Sequence, residues 1–392
     1  MTFTYFEKRI KKSFLAFLFI LFISMTTLHS QVEKIADGFQ FVEGPVWKDG
    51  VGLLFSDIPA NKVYRWTPET GAEIFLDPSG NSNGLALDVQ GRLLLAQHGN
   101  RRVARLETDG SQTALATHYD GKKLNSPNDL AVKSDGAIYF TDPPYGINSS
   151  QAELNFSGIF RISPTTGAVQ LLDKSLYRPN GIALSPDETK LYVNDSEARK
   201  IYVWDIVDST ITNKKLFAYM NPAGNADGMK VDTEGNLYST GPLGVWIFKP
   251  DGTVIDTVLV SGQTTNCGWG DADRKTLYIT SGTAVYKIRF ETTGFQIPGG
   301  SGNLLKDFKL FQNYPNPFNP STTITFSLRE ERHVQLNVFD LLGKNIATLV
   351  DSTLTPGTKS YLWNANGINS GIYFCQLQAG EFSETGKMIL LK

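Results

Sequence analysis

Between residues 32 and 293 the chain alternates short apolar runs with polar turn pairs. Lys62-Val-Tyr-Arg-Trp66 and Lys200-Ile-Tyr-Val-Trp204 carry the two-residue period of half-buried strands. Asp49-Gly50, Gln90-Gly91, Asp135-Gly136, Pro186-Asp187 and Glu234-Gly235 supply turns between them. No run holds helical spacing over three turns. Six runs open on one recurring phrase: Glu43-Gly-Pro-Val-Trp47, Asn83-Gly-Leu-Ala-Leu87, Asn128-Asp-Leu-Ala-Val132, Asn180-Gly-Ile-Ala-Leu184, Asp227-Gly-Met-Lys-Val231 and Asn266-Cys-Gly-Trp-Gly270. A second apolar strand follows each, as in Ala137-Ile-Tyr-Phe-Thr-Asp142 and Leu191-Tyr-Val-Asn-Asp195. The starts lie 40, 45, 52, 47 and 39 residues apart. Several strands per unit at that period predict a six-bladed β-propeller over residues 31–295.

The pattern changes at both ends. Lys8, Arg9, Lys11 and Lys12 precede an apolar run from Phe14 to Ile23. That run is shorter than the ~20 residues a bilayer span needs, so residues 1–30 read as a secretory signal peptide; an uncleaved anchor is the alternative. No other stretch is apolar enough to span, and no transmembrane segment is expected in the mature chain. Residues 296–306 contain Ile297-Pro-Gly-Gly-Ser-Gly-Asn303 and read as a flexible linker. Short alternating strands resume over 307–392 and predict a small immunoglobulin-like β-sandwich. The expected fold class is therefore all-β throughout.

Charge narrows the function. Net charge is −2, with no basic stripe, so nucleic acid is not an expected partner. Cys267 and Cys375 fall in different predicted domains, which argues against a disulfide framework. The four histidines form no H-x-x-x-H pattern, which argues against a histidine-held zinc. What stands out is the six phrase openers: Glu43, Asn83, Asn128, Asn180, Asp227 and Asn266. In a propeller they meet near the axis. Two carboxylates and four amides are hard oxygen ligands, and the two charges match a divalent cation. The alternative is that they only cap strands by hydrogen bonding, and the residues alone leave both readings open. Gly80-Asn-Ser-Asn-Gly84 matches G-x-S-x-G but runs into a strand, so Ser82 is not expected to be a nucleophile. Asp232-Thr-Glu-Gly235 reads as a hairpin turn.

A resemblance sharpens this. Glu43-Gly-Pro-Val-Trp47, His98-Gly-Asn-Arg-Arg102, Asn125-Ser-Pro-Asn-Asp-Leu130, Phe140-Thr-Asp-Pro-Pro-Tyr-Gly146, Arg178-Pro-Asn-Gly-Ile-Ala-Leu-Ser-Pro-Asp187 and Ala226-Asp-Gly-Met229 resemble the senescence-marker-protein/gluconolactonase/luciferin-regenerating family, in order from residue 43 to residue 229. The resemblance implies a divalent metal on Glu43, Asn128, Asn180 and Asp227, with Asp227 as general base in lactone hydrolysis. Calcium is the first choice; Zn2+, Mn2+ and Mg2+ are the substitutes. Asn83, His98, Tyr145 and Asn266 are substrate-binding candidates, and His98 is also a second acid–base candidate. The expected substrate is a small sugar-acid lactone such as gluconolactone. Alternatives are an aryl-ester or phosphotriester hydrolase using the same pocket, or a non-catalytic ligand-binding propeller. Leu310-Phe-Gln-Asn-Tyr-Pro-Asn-Pro-Phe-Asn-Pro-Ser321, Asp340-Leu-Leu-Gly-Lys344 and Ser370-Gly-Ile-Tyr-Phe374 resemble the type A sorting domain of type IX secretion. That implies the type IX machinery as partner and a secreted or cell-surface location, reached via the periplasm.

Overall fold

The structure, a computed structural model, describes residues 31–220, 224–295, 308–311, 313–328, 331–380 and 382–391. The signal-peptide and linker expectations fall on residues outside this set. The described chain is built from strands, with only two single-turn helices, Pro144–Gly146 and Ser149–Gln151.

Residues 33–289 form six four-stranded antiparallel sheets. Their inner strands are Val42–Lys48, Ser82–Leu87, Leu130–Val132, Pro179–Leu184, Met229–Val231 and Thr264–Gly270. Each inner strand touches the next, and the last returns to the first, so the sheets close a ring. Closure is secured by the strand Glu33–Asp37, which joins the last sheet by pairing with Ala284–Arg289. A ring of this kind leaves few open edges, which is how a repeated sheet avoids edge-to-edge aggregation. The sheets bury both faces against their neighbours. Leu94 and Val103 of the second sheet, for instance, share a core with Phe140 and Phe160 of the third. The two phenyl rings stack at 5.2 Å. Burying such side chains contributes about 2–3 kcal/mol each before conformational costs.

Two local devices bring the phrase openers to the axis. First, pairing register slips at the start of four inner strands, between Glu43 and Val46, Ser82 and Leu85, Pro179 and Ile182, and Thr264 and Asn266. Such a bulge removes a residue from the ladder and re-aims its side chain. Second, the glycine after an opener lies against the next sheet's opener. A Cβ on Gly84 would stand 2.6 Å from the Asn128 carbonyl oxygen, and Gly44 and Gly181 face Asn83 and Asp227 still more closely. Only hydrogen fits there. The third sheet departs from the rule and carries Asp129 where the others carry glycine or Cys267.

The C-terminal segment forms two antiparallel sheets. One contains Phe308–Leu310, Ser321–Leu328 and Gly357–Asn364; the other contains Asn345–Leu354, Arg332–Phe339, Gly371–Ala379 and Phe382–Leu390. They enclose one core that includes Phe318, Phe326, Trp363 and Met388, which makes the expected sandwich. Both cysteines are buried and unbridged.

Candidate metal centre

Several inner strands are tied to the neighbouring sheet at the opener or one residue before it. A small polar residue one place before the end of the second strand does this work. Thr141 Oγ1 donates to the Asn180 carbonyl at 2.6 Å, and Thr240 Oγ1 donates to the Thr265 carbonyl at 2.8 Å. Asn194 Nδ2 donates to the Asp227 carbonyl, and Ser56 Oγ lies 2.9 Å from Ser82 Oγ. Sequence reading missed these residues, although the strand endings Phe-Ser-Asp, Phe-Thr-Asp and Val-Asn-Asp carried the signal. The aspartates of those endings clamp the loops that feed the inner strands. Asp57 accepts from the amides of Gln40 and Phe41, each at 3.0 Å, and Asp195 accepts from Tyr177 and Arg178 at 2.9 and 3.0 Å.

Several openers are joined through their side chains. Asn266 Nδ2 donates to Glu43 Oε2 at 3.0 Å, and Gly44 N donates to the same oxygen at 2.7 Å. The Asn180 amide donates to the Asp227 carboxylate. Asn128 is buried, with its carbonyl taking the Gly84 amide at 2.8 Å. Asn83 Nδ2 lies 3.1 Å from His98 Nε2, while Asn83 Oδ1 is buried without a partner. An unpaired buried oxygen costs ~1–3 kcal/mol, and such an oxygen beside a ring of other oxygens suits a bound ion, water or substrate.

Asp129, which was not among the expected site residues, enters this set. Its carboxylate stands 3.4 Å from Asn266 Nδ2 and is fully buried. Its signal was a carboxylate at the place where four of the six phrases carry glycine and one carries Cys267. Burial pushes the Glu43 carboxyl up to about 7, helped by the charge of Asp129. Asp227 is held well above the usual carboxylate range by desolvation, then by Glu43 and Asp129. Three crowded carboxylates resist ionising together unless a cation joins them. Among the described residues, no three His, Cys, Asp or Glu side chains are grouped closely enough to ligate one ion. Glu43 and Asp227 with amide oxygens are thus a better ligand set than the three acids. Hard, oxygen-only donors of this kind suit calcium and its divalent relatives.

Around the ring, burial pushes the His98 imidazole down to about 4, so it is neutral near pH 7. This weakens its case as an acid and favours a role as acceptor toward Asn83. Tyr145 stands at the rim, 39% exposed, with its hydroxyl bonded to Ser196 and its ring 5.6 Å from the Arg178 guanidinium. Ser82 is fully buried. Asp232 closes a hairpin, its Oδ1 accepting from the Glu234 and Asn236 amides.

Comparison with known proteins identifies the family. Residues 41–283 match the family model for the SMP-30/Gluconolactonase/LRE-like region. The chain belongs to that family. Residues 312–391 match the model of a secretion system C-terminal sorting domain. A gluconolactonase of Zymomonas mobilis subsp. mobilis is 39% identical over 298 residues, covering 67% of this chain and 82% of the relative. Regucalcin of Xenopus laevis is 30% identical over 255 residues, covering 63% and 85%. The solved structure of XC5397 from Xanthomonas campestris, a gluconolactonase, superposes with a TM-score of 0.62 at 34% identity, covering 66% of this chain and 88% of that one.

Proposed function

We propose that this protein, a lactonase by family, opens sugar-acid lactones with one divalent metal ion, calcium being the first choice. The observation that carries the reading is the crowding of two carboxylates, Glu43 and Asp227, bonded to the side-chain amides of Asn266 and Asn180 in a family-matched propeller. In this reading Glu43, Asn128, Asn180 and Asp227 hold the ion. The ion would supply Lewis acidity toward the lactone carbonyl and charge opposite the developing oxyanion. As whole residues, Asp227 is half-buried and Glu43 is buried. That difference suits Asp227 as the group that takes a proton from the attacking water. The water oxygen bonds to the carbonyl carbon, the ring C–O bond breaks, and the proton passes to the departing ring oxygen. Asn83, oriented by His98, offers its free Oδ1 to a substrate hydroxyl; Asn266 steadies Glu43; Tyr145 borders the entrance.

The sorting-domain match supports export by the type IX route, to the cell surface or medium. No helix among the described residues is long and apolar enough to cross a membrane. The deciding experiment is hydrolysis of a panel of lactones and aryl esters by chelated protein, before and after single metals are returned. Metal-restored turnover of sugar-acid lactones is expected. Full activity after thorough chelation would end the metal reading, and turnover of aryl esters alone would end the lactone reading.

A further inference from the structure

Outside the ligand set, the mouth of the site carries a guanidinium that the hydrolytic reading leaves unused. The helical turn Pro144–Gly146 borders that mouth. Gly146 donates its amide to Ser126 Oγ at 2.8 Å, and it packs so closely on His98 that an added Cβ would stand 2.6 Å from the His98 Cβ. His98 in turn meets Asn83, so the turn sits beside the openers. Tyr145 stands in the middle of the turn. The Arg178 guanidinium lies 5.6 Å from its ring centre and 4.9 Å from that of Tyr177. Arg178 comes two residues before Asn180, and its main chain is fixed. Its amide donates to Asp195 Oδ1 at 3.0 Å, and its carbonyl accepts from the Ser196 amide at 2.9 Å. Its Nε donates to Glu197 Oε1 at 3.2 Å, while its two terminal nitrogens have no partner among the described residues.

An ion pair at the rim contributes little to stability, so Glu197 alone does not call for a guanidinium held against two aromatic rings. What the arrangement supplies is a directed donor. The tyrosine rings attract the cation, and Glu197 anchors it at Nε. The free pair of terminal nitrogens then forms a fork that matches a carboxylate. The lactone reading already places sugar acids in the site, and a sugar with two acid groups would carry the second carboxylate at its far end. We propose that Arg178 receives a carboxylate borne by the substrate away from the reacting carbonyl, so that the protein prefers monolactones of sugar diacids to neutral aldonolactones. This rests on the lactonase reading above. Arg178 takes no part in the bond changes. It holds a remote group equally in the bound substrate and in the transition state, which acts on KM more than on kcat.

The test compares ring opening of glucarolactone, which keeps a free carboxylate, with that of gluconolactone, which has a hydroxyl in its place. Ring sizes are matched, and both the five- and six-membered forms are assayed on the purified full chain supplied with divalent metal. The methyl ester of glucarolactone is the uncharged control. The wild-type chain should favour the free acid over both neutral compounds. Arg178→Gln should lower kcat/KM for the acid about 10–100-fold more than for gluconolactone, the loss expected when hydrogen bonds to a charged group are removed. Most of that loss should lie in KM. Arg178→Lys keeps the charge but not the fork and should recover part of it. If Arg178→Gln, folded by circular dichroism, lowers kcat/KM equally for acid and neutral lactone, the inference is wrong and the lactonase reading stands. The same holds if the wild-type chain does not distinguish the acid from its methyl ester. If the wild-type chain opens neither lactone with any divalent metal, both readings fall.

Discussion

Glu43 and Asp227 supply the same charge from different settings, and that difference separates their roles. Glu43 is buried and held by Asn266 and Gly44. Asp227 is half-buried and is held by Asn180. Glu43→Gln and Asp227→Asn should both weaken metal binding. At saturating metal, Glu43→Gln should recover much of its rate, while Asp227→Asn should stay down by roughly 10²–10⁴-fold, the span of a lost general base. Equal recovery would remove the special role of Asp227. His98 gives a pH prediction. Its folded pKa of about 4 lies below the ordinary 6.5, because burial disfavours the imidazolium. The unfolded chain therefore binds the proton more readily. The stability from neutral His98 is full above about pH 6.5 and is lost as pH falls toward 4. Melting temperatures at pH 7 and pH 5 should fall further apart in the wild type than in His98→Gln. The openers were legible because side-chain type repeats at a regular period. Asp129 was passed over, since its break from the glycine of four other phrases does not say what its side chain touches. Nor did the phrases show that His98 and Asn83 form a pair, which depends on two loops meeting.

At the scale of elements, the inner strand and its glycine decide where each opener stands. A Cβ on Gly228 would overlap the Asn266 side chain. Gly228→Ala should push Asn266 off Glu43 and cost about 1–3 kcal/mol of stability. It should also weaken metal binding. Gly110→Ala, where a Cβ meets nothing within 4 Å but φ is +84°, is the control for backbone strain alone. It should lose some stability and no metal affinity. Equal metal affinity in both variants would show that the glycine has no part in positioning Asn266. Ser82→Ala tests the element from the other side. Ser82 is buried against Ser56 on an inner strand, not poised at a strand-to-helix elbow. Hydrolysis should be nearly unchanged, and a thousandfold loss with a trapped acyl-enzyme on Ser82 would overturn the metal mechanism. Strand type and sheet order followed from alternation and turns, because a blade buries both faces and spaces its turns evenly. The cross-sheet hydrogen bonds of Thr141, Asn194 and Thr240 were hidden. A small polar residue near a strand end reads the same whether it faces water or a neighbour's carbonyl.

The whole molecule divides its labour along the chain. All six openers and Asp129 lie before residue 270, and the ring closes on itself through the strand Glu33–Asp37. The sandwich has its own two sheets and its own core. The glycine-rich stretch between the two matched regions is outside the described residues, so the division rests on these two separate cores and on the separate family matches to 41–283 and 312–391. Each half is therefore expected to fold alone. A chain of residues 31–296 should keep the metal site, its thermal transition and its lactonase activity. Deleting 307–392 from the full chain should instead leave active enzyme in the periplasm of a host with type IX secretion. The measurement is lactonase activity by cell fraction for the full and shortened chains, together with activity of the purified 31–296 fragment. Normal export of the shortened chain would refute the sorting role. Poor export with an inactive but folded fragment would mean that the sandwich completes the site, and the boundary drawn between the two halves would be wrong.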